Sequence, residues 1–168
     1  FQEIENLYRS ALLQSCKKLH REHADIYYLR SPEEMLNIYG ERVIEFIARL
    51  KDDGIIKKIG ISVYDQNQIE KILQHFTPDI IQVPCNVLDQ RLIKSGTLKD
   101  LKKMGIEIFA RSAFMQGLIL MQPSKTPKYF EPIRQHLKLF HHECRSHGIT
   151  PIQAALSFIL SQEHIDRI

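Results

Sequence analysis

Along the first twenty residues the apolar positions Ile4, Tyr8, Leu12, Cys16 and Leu19 fall three or four apart, the spacing of one buried face on a helix from near Phe1 to His20. Ala24-Asp25-Ile26-Tyr27-Tyr28-Leu29 is then a short apolar and aromatic run, a strand that Ser31-Pro32 ends because proline supplies no backbone donor. The Tyr27-Tyr28 pair reads as strand core. Helical spacing returns with Tyr39, Val43, Phe46, Ile47 and Leu50, and Gly54 stands where a left-handed cap is wanted. Residues 56–61 are strand-like again. Asp65 is an N-cap with Gln68 three residues later, as in a capping box, and Ile69, Ile72, Leu73 and Phe76 share one face before Pro78.

A third strand is expected over 80–83, a short helix over 97–104 ending at Gly105, and a fourth strand over 106–110. Phe130, Ile133, Leu137, Phe140 and Cys144 step along a further helix capped by Gly148. Thr150-Pro151-Ile152-Gln153 combines an N-cap, a proline at the first helical position and a glutamine to complete the box, opening a helix to about residue 162. A fifth strand begins at Ile165.

Helix and strand thus alternate with brief loops and no hairpin signal, which calls for parallel strands joined by helical crossovers, adjacent in chain order. The expected fold is α/β, a parallel sheet or a barrel; a complete (β/α)8 TIM barrel needs about 250 residues, so a chain of 168 would be a partial one. No linker or low-complexity segment divides it, so residues 1–168 read as one partial barrel domain. The opening at Phe1 without an initiator Met or signal-peptide pattern, and the stop inside the fifth strand, are what a fragment would show.

With 43% hydrophobic and 26% charged residues the composition is that of a globular protein, and no apolar run approaches the roughly 18 residues a membrane span needs. Lys plus Arg at 23 against Asp plus Glu at 20 leaves +3, with the basic residues scattered, so neither a nucleic-acid footprint nor a membrane partner is indicated. Cys16, Cys85 and Cys144 are odd in number and far apart, which argues against a disulfide framework and for a reducing compartment, the cytoplasm.

In parallel α/β folds ligands bind beyond the carboxyl ends of the strands, and those ends are polar here: Arg30-Ser31, Ser62, Gln82 with Asn86 and Asp89, and Arg111-Ser112. Either these groups converge on one rim or they merely solvate loop ends. The stretch His142-Glu143-Cys144-Arg145-Ser146-His147 fails as a zinc helix because its histidines are five apart, and Cys144 belongs to the apolar stripe. The common dinucleotide, P-loop and nucleophile-elbow motifs are all missing. Cys85 follows a strand end without a His-Asp partnership and reads as an inert buried thiol.

Four segments, in order, resemble the aldo-keto reductases. Ala24 to Pro32 is similar to the family's D-x-Y-L-L-H-x-P, and Lys51 to Ser62, KDDGIIKKIGIS, to its K-x-x-G-x-I-K-x-I-G-V-S strand. Pro78 to Leu92, PDIIQVPCNVLDQRL, resembles Q-x-x-Y-N-x-L-D-R-R, and Gly105 to Leu118, GIEIFARSAFMQGL, resembles G-I-x-V-x-A-Y-S-P-L-x-Q-G-L. The resemblance implies the (β/α)8 barrel and hydride transfer between NADP(H), less often NAD(H), and a small-molecule carbonyl. It makes this chain the second half of the barrel, with strands four to seven and the start of the eighth. The family's catalytic Tyr, Asp and Lys would then precede Phe1, and its adenosine-phosphate loop would follow Ile168.

Carried over by resemblance, Ser62 and Gln82 match positions that hydrogen-bond the nicotinamide carboxamide, and Ser112 with Gly117 and Leu118 matches the loop approaching the pyrophosphate, where backbone N–H groups suit a phosphate. Arg30 stands in place of the family's catalytic His. It keeps its proton at neutral pH but can still donate hydrogen bonds to a developing alkoxide. Val63 replaces an Asn and removes one carboxamide contact. Arg111 replaces an aromatic that stacks on the nicotinamide; its guanidinium can stack, yet its charge disfavours the oxidised ring, so the reduced cofactor should be preferred. The resemblance therefore implies an NAD(P)H-dependent carbonyl reductase with Arg30 as its catalytic group here, inactive as an isolated piece. The alternative is a cofactor-binding, catalytically weak homologue serving as a regulatory or interaction subunit.

Overall fold

The computed structural model describes residues 2–168, apart from the side chain of Glu34; Phe1, where the first expected helix begins, lies outside the described residues. The order of elements is α1 (Gln2–Lys18), β1 (Ala24–Leu29), α2 (Glu33–Leu36), α3 (Gly40–Asp52), β2 (Ile56–Ser62), α4 (Gln66–Leu73) and β3 (Ile80–Pro84). Then come α5 (Arg91–Lys94), α6 (Thr97–Lys103), β4 (Glu107–Arg111), three short 3-10 turns between Met115 and Ile133, α7 (Arg134–Ser146) and α8 (Pro151–Leu160). The strands form one sheet in the order β1-β2-β3-β4, with β1–β2 and β2–β3 parallel, as helical crossovers require. The chain divides into two compact units, one of residues 1–82 with 105–107 and one of residues 83–104 with 108–168.

In the first unit β1 pairs with β2 from Ala24↔Ile56 to Leu29↔Ile61, and β2 meets β3 from Gly60↔Ile80 to Ser62↔Gln82. Ile56, Ile59, Ile61, Ile80 and Ile81 are at most 3% exposed, so the strands are covered on both faces, as their nearly continuous apolar sequence demands. Each such side chain contributes roughly 1.5–3 kcal/mol of burial. Helix α3 ends in a left-handed Gly54 (φ +70°), with the Ile55 N–H donating to the Leu50 carbonyl and the Gly54 N–H to that of Lys51, so the last carbonyls are satisfied. Asp65 caps α4 as expected, accepting from the Gln68 N–H at 2.9 Å. The Gln68 side chain accepts instead from the Tyr64 N–H, so the capping box is only half formed.

Helix α1 departs from its expected packing. Of the stripe Ile4, Tyr8, Leu12, Cys16 and Leu19, only Cys16 is buried; Ile4, Tyr8 and Leu19 are 51%, 56% and 72% exposed. The helix is held to α3 through its polar edge, by Glu5–Arg49 and Arg9–Asp53 ion pairs of 2.7 Å each. Its apolar side thereby becomes one wall of an open groove shared with Tyr27, Leu29, Val43 and Phe46.

In the second unit β4, α6, α7 and α8 bury Leu98, Leu101, Ile108, Leu137, Ala155 and Ile159. Thr150 and Gln153 form the expected reciprocal box at the start of α8. The helix expected from Phe130 starts later, because the segment Lys128–Ile133 is a 3-10 turn containing Pro132, which cannot donate an α-helical hydrogen bond. The expected fifth strand is reduced to a single parallel bridge, Phe109↔Arg167, with the Ala110 N–H donating to the Arg167 carbonyl at 2.7 Å. Among the described residues no helix is long and apolar enough to cross a membrane.

Candidate active site

In the first unit Leu29 is opposite Ile61 and Ser62 is opposite Gln82, so Arg30 follows the last residue of β1, Ser62 closes β2, and Gln82, the middle residue of β3, lies level with Ser62. The Ser62 hydroxyl donates to Gln82 Oε1 at 3.3 Å, a long and therefore weak bond that leaves both groups able to serve a ligand. Both side chains are half-buried, and the strand exits around them are fixed, since the buried Val63 donates its N–H to the Gln82 carbonyl at 2.9 Å. Arg30 is exposed. The turn beneath it is ordered: the Ser31 hydroxyl donates to the Glu33 carboxylate, which also receives the Gln68 amide. These donors, Ser31 first, hold the Glu33 carboxyl below its ordinary range.

In the second unit Arg111 closes β4, with its carbonyl accepting the Cys85 N–H at 3.0 Å. Its guanidinium donates to Ser112 Oγ at 3.4 Å. The backbone beyond is contorted, with positive φ at Ser112 (+62°), Met115 (+45°), Gln116 (+55°) and Gly117 (+91°). Left-handed backbone costs a non-glycine residue roughly 1–2 kcal/mol, so this shape persists only because its surroundings enforce it. Ala113, Leu118 and Ile119 are buried and anchor the segment, whereas Gln116 is exposed and Gly117 half-buried at its crest. The turn is closed by its own backbone, the Met115 N–H donating to the Ser112 carbonyl and the Gly117 and Ile119 N–H groups to that of Phe114, so an anion would be met by the N–H groups outside these bonds. The expected site residues Arg111, Ser112, Gly117 and Leu118 thus lie on one strand exit and the turn after it.

Asn86 and His141 were not among the residues expected to act. Asn86 was noted only as a polar strand-end residue, yet it is 2% exposed, with its amide donating to the Ser112 carbonyl at 3.1 Å and its oxygen accepting from the Leu88 and Asp89 N–H groups. His141 lies four residues after Leu137 and three before Cys144, so the helical stripe already marked it for burial. Cys85 packs with Ala110, Ala113 and Ile159, and burial, with a smaller contribution from Asp89, pushes its thiol up to about 11. It is no nucleophile at neutral pH. Among the described residues no group of three His, Cys, Asp or Glu side chains is arranged to hold a metal ion.

Known proteins agree with this architecture. Similar solved structures include the apo form of the aldo-keto reductase AKR11C1 from Bacillus halodurans (TM-score 0.75, 21% identity, covering 97% of this chain and 56% of that one). Another is the glycerol dehydrogenase AKR11B4 from Gluconobacter oxydans (TM-score 0.70, 19% identity, 98% and 54%). At these identities the likeness establishes the fold, about half of a (β/α)8 barrel. In sequence, L-glyceraldehyde 3-phosphate reductase of Escherichia coli K12 is 29% identical over 147 residues, 84% of this chain but 40% of the relative. The chain therefore spans about half the length of the solved relatives and less of the curated one. A model described as the aldo/keto reductase family matches residues 3–166, nearly the whole sequence, and on that match the chain belongs to the aldo/keto reductase family.

Proposed function

We propose that these 168 residues form one partial barrel domain of an NAD(P)H-dependent oxidoreductase that reduces an aldehyde or ketone to an alcohol. The observation that carries the reading is the Ser62–Gln82 pair across β2 and β3, a donor and an acceptor held at 3.3 Å where a carboxamide needs both. The residues fit a dinucleotide. In the first unit Ser62 and Gln82 would hold the nicotinamide amide; in the second, Arg111 would serve the ring and the turn of Ser112, Gly117 and Leu118 the pyrophosphate, roles taken from the family resemblance. The bound cofactor supplies the hydride. Arg30 donates hydrogen bonds to the substrate oxygen as negative charge develops on it. The proton has to come from another group, because a guanidinium does not release one at neutral pH. The positive charge of Arg111 opposes a cationic ring, so NADPH should bind more tightly than NADP+. A cytoplasmic setting suits three cysteines that are all buried and unbridged.

The test is steady-state NADPH oxidation by the full-length protein with a panel of aldehydes, beside a fluorescence titration of NADPH. Replacing both Ser62 and Gln82 by alanine should weaken NADPH binding by about 1–3 kcal/mol. Arg30→Ala should lower turnover by about 10²-fold with little effect on NADPH affinity, as for loss of an oxyanion donor. Unchanged turnover in Arg30→Ala removes the catalytic role of that residue. NADPH binding without turnover on any carbonyl favours the alternative, a regulatory or interaction subunit, which the replacement of the family's His by Arg30 already supports.

A further inference from the structure

The turn after β4 is held at both ends by buried side chains. At its start the Asn86 amide donates to the Ser112 carbonyl, which also accepts the Met115 N–H at 2.9 Å, so both lone pairs of that oxygen are used. At its end His141 of α7, 8% exposed, contacts the Ile119 carbonyl through Nε2 at 2.8 Å. A carbonyl only accepts, so Nε2 carries a proton and donates it. Between these anchors lie Met115, Gln116 and Gly117, all with positive φ, a conformation the chain would not keep unaided. Helix α7 is firmly placed by Leu137 and Cys144, both at most 2% exposed on the same face as His141, so the histidine is a rigid post.

We infer that His141 is a positioning residue for cofactor binding: its Nε2–H pins the Ile119 carbonyl and so fixes the course of the Ser112–Leu120 turn, in which the Met115, Gly117 and Ile119 N–H groups donate to the Ser112 and Phe114 carbonyls and the N–H groups outside these bonds are turned toward a pyrophosphate. The inference rests on the cofactor reading proposed above. His141 touches no reacting atom, and its effect passes entirely through the backbone it holds. Because that backbone sits in the left-handed region, release of one anchor lets it relax to ordinary φ values, turning the N–H groups away.

The test uses the full-length protein with three substitutions. His141→Phe keeps the ring volume and removes the donor, His141→Gln keeps an N–H donor at a similar reach, and His142→Phe alters the exposed neighbour as a control. Two quantities are read: amide hydrogen exchange across 112–120, and the Kd for NADPH by fluorescence titration. His141→Phe should speed exchange in that segment about tenfold and raise the NADPH Kd about five- to tenfold, roughly what loss of one buried hydrogen bond produces. His141→Gln should recover most of both, and His142→Phe should behave as wild type. If His141→Phe fails to melt cooperatively, His141→Asn, whose amide falls short of the Ile119 carbonyl, replaces it in the same comparison with His141→Gln. Unchanged exchange in the donor-less variant overturns the pin, and so does a His141→Gln no better than it. Faster exchange with an unchanged NADPH Kd leaves the pin but overturns its role in binding. A wild-type protein that binds no NADPH overturns the proposed function itself, and with it the binding role, while the exchange data still decide whether the pin exists.

Discussion

Gly60 has no room for a side chain. A Cβ built there would come within 2.5 Å of the Tyr28 ring, which lies over it on the paired strand β1. Gly60→Ala should therefore force the ring aside and destabilise the protein by about 1–3 kcal/mol, the usual cost of overpacking. In a Tyr28→Ala background the same change should cost much less, and urea denaturation of the four proteins gives the coupling directly. Additive effects would show that the ring does not press on Gly60. The expectation of a Tyr27-Tyr28 strand core is therefore not met: both are half-buried, Tyr28 packing over Gly60 and Tyr27 lining the open groove. At this scale the sequence revealed residues whose chemistry is odd for their place, such as Ser62 at the end of one apolar strand and Gln82 in the middle of the next. It hid those whose role depends on a partner distant in the chain. Nothing near His141 in sequence announces the Ile119 carbonyl 22 residues earlier, and only its place on the helical stripe hinted at burial.

The elements share a device at the opposite ends of their strands. Ahead of β3, Asp79 accepts the Ile59 N–H at 2.8 Å and pairs with Lys51 at 2.7 Å. After the last helix, Asp166 accepts the Ile108 N–H at 2.7 Å and pairs with Lys102 at 2.7 Å. Each carboxylate supplies a ladder acceptor to a strand while a lysine from a preceding helix balances its charge. Burial pushes the Asp166 carboxyl up, but the Ile108 N–H and Lys102 together outweigh it, and the group titrates below its ordinary range. A folded value below the unfolded one of about 3.9 gives stability that is complete above that pH and disappears as pH falls through the folded value. Asp166→Asn should cost about 1 kcal/mol at neutral pH and make the loss of stability below about pH 4 shallower. Urea midpoints between pH 3 and 7 check both, and an unchanged acid slope would remove Asp166 from the account. Elements of this kind were legible wherever apolar residues run together along the chain: β1 to β4 fall within a residue of the expected bounds, with Ile56, Ile59 and Ile61 of β2 and Ile80 and Ile81 of β3 buried. The four-residue helices α2 and α5 carry too few positions for a period to show. The expected fifth strand is a single bridge, Phe109↔Arg167.

For the molecule as a whole, the alternation of helix and strand sufficed for the parallel α/β class, because a parallel pair cannot be joined by a hairpin. What alternation does not encode is which apolar faces find a partner, and the first unit contains the clearest case. There β1 is the edge strand of the sheet, and beside it the groove between α1 and α3 presents Tyr8, Tyr27, Val43 and Phe46. An edge strand next to open apolar surface is a template for association with another chain. A net charge of +3 offers little repulsion against it. The 168-residue polypeptide on its own should therefore self-associate at micromolar concentrations, as partly covered barrels do when their edges are accessible. Sedimentation velocity over a concentration series measures this directly. Replacing Ile4 and Tyr8 together by lysine puts charge on the groove without touching the β1–β2 ladder, and should shift the distribution toward monomer while circular dichroism stays the same. A wild-type polypeptide that stays monomeric throughout the series would mean that the groove and the β1 edge are not adhesive. Association unaffected by the two lysines would move its origin away from α1.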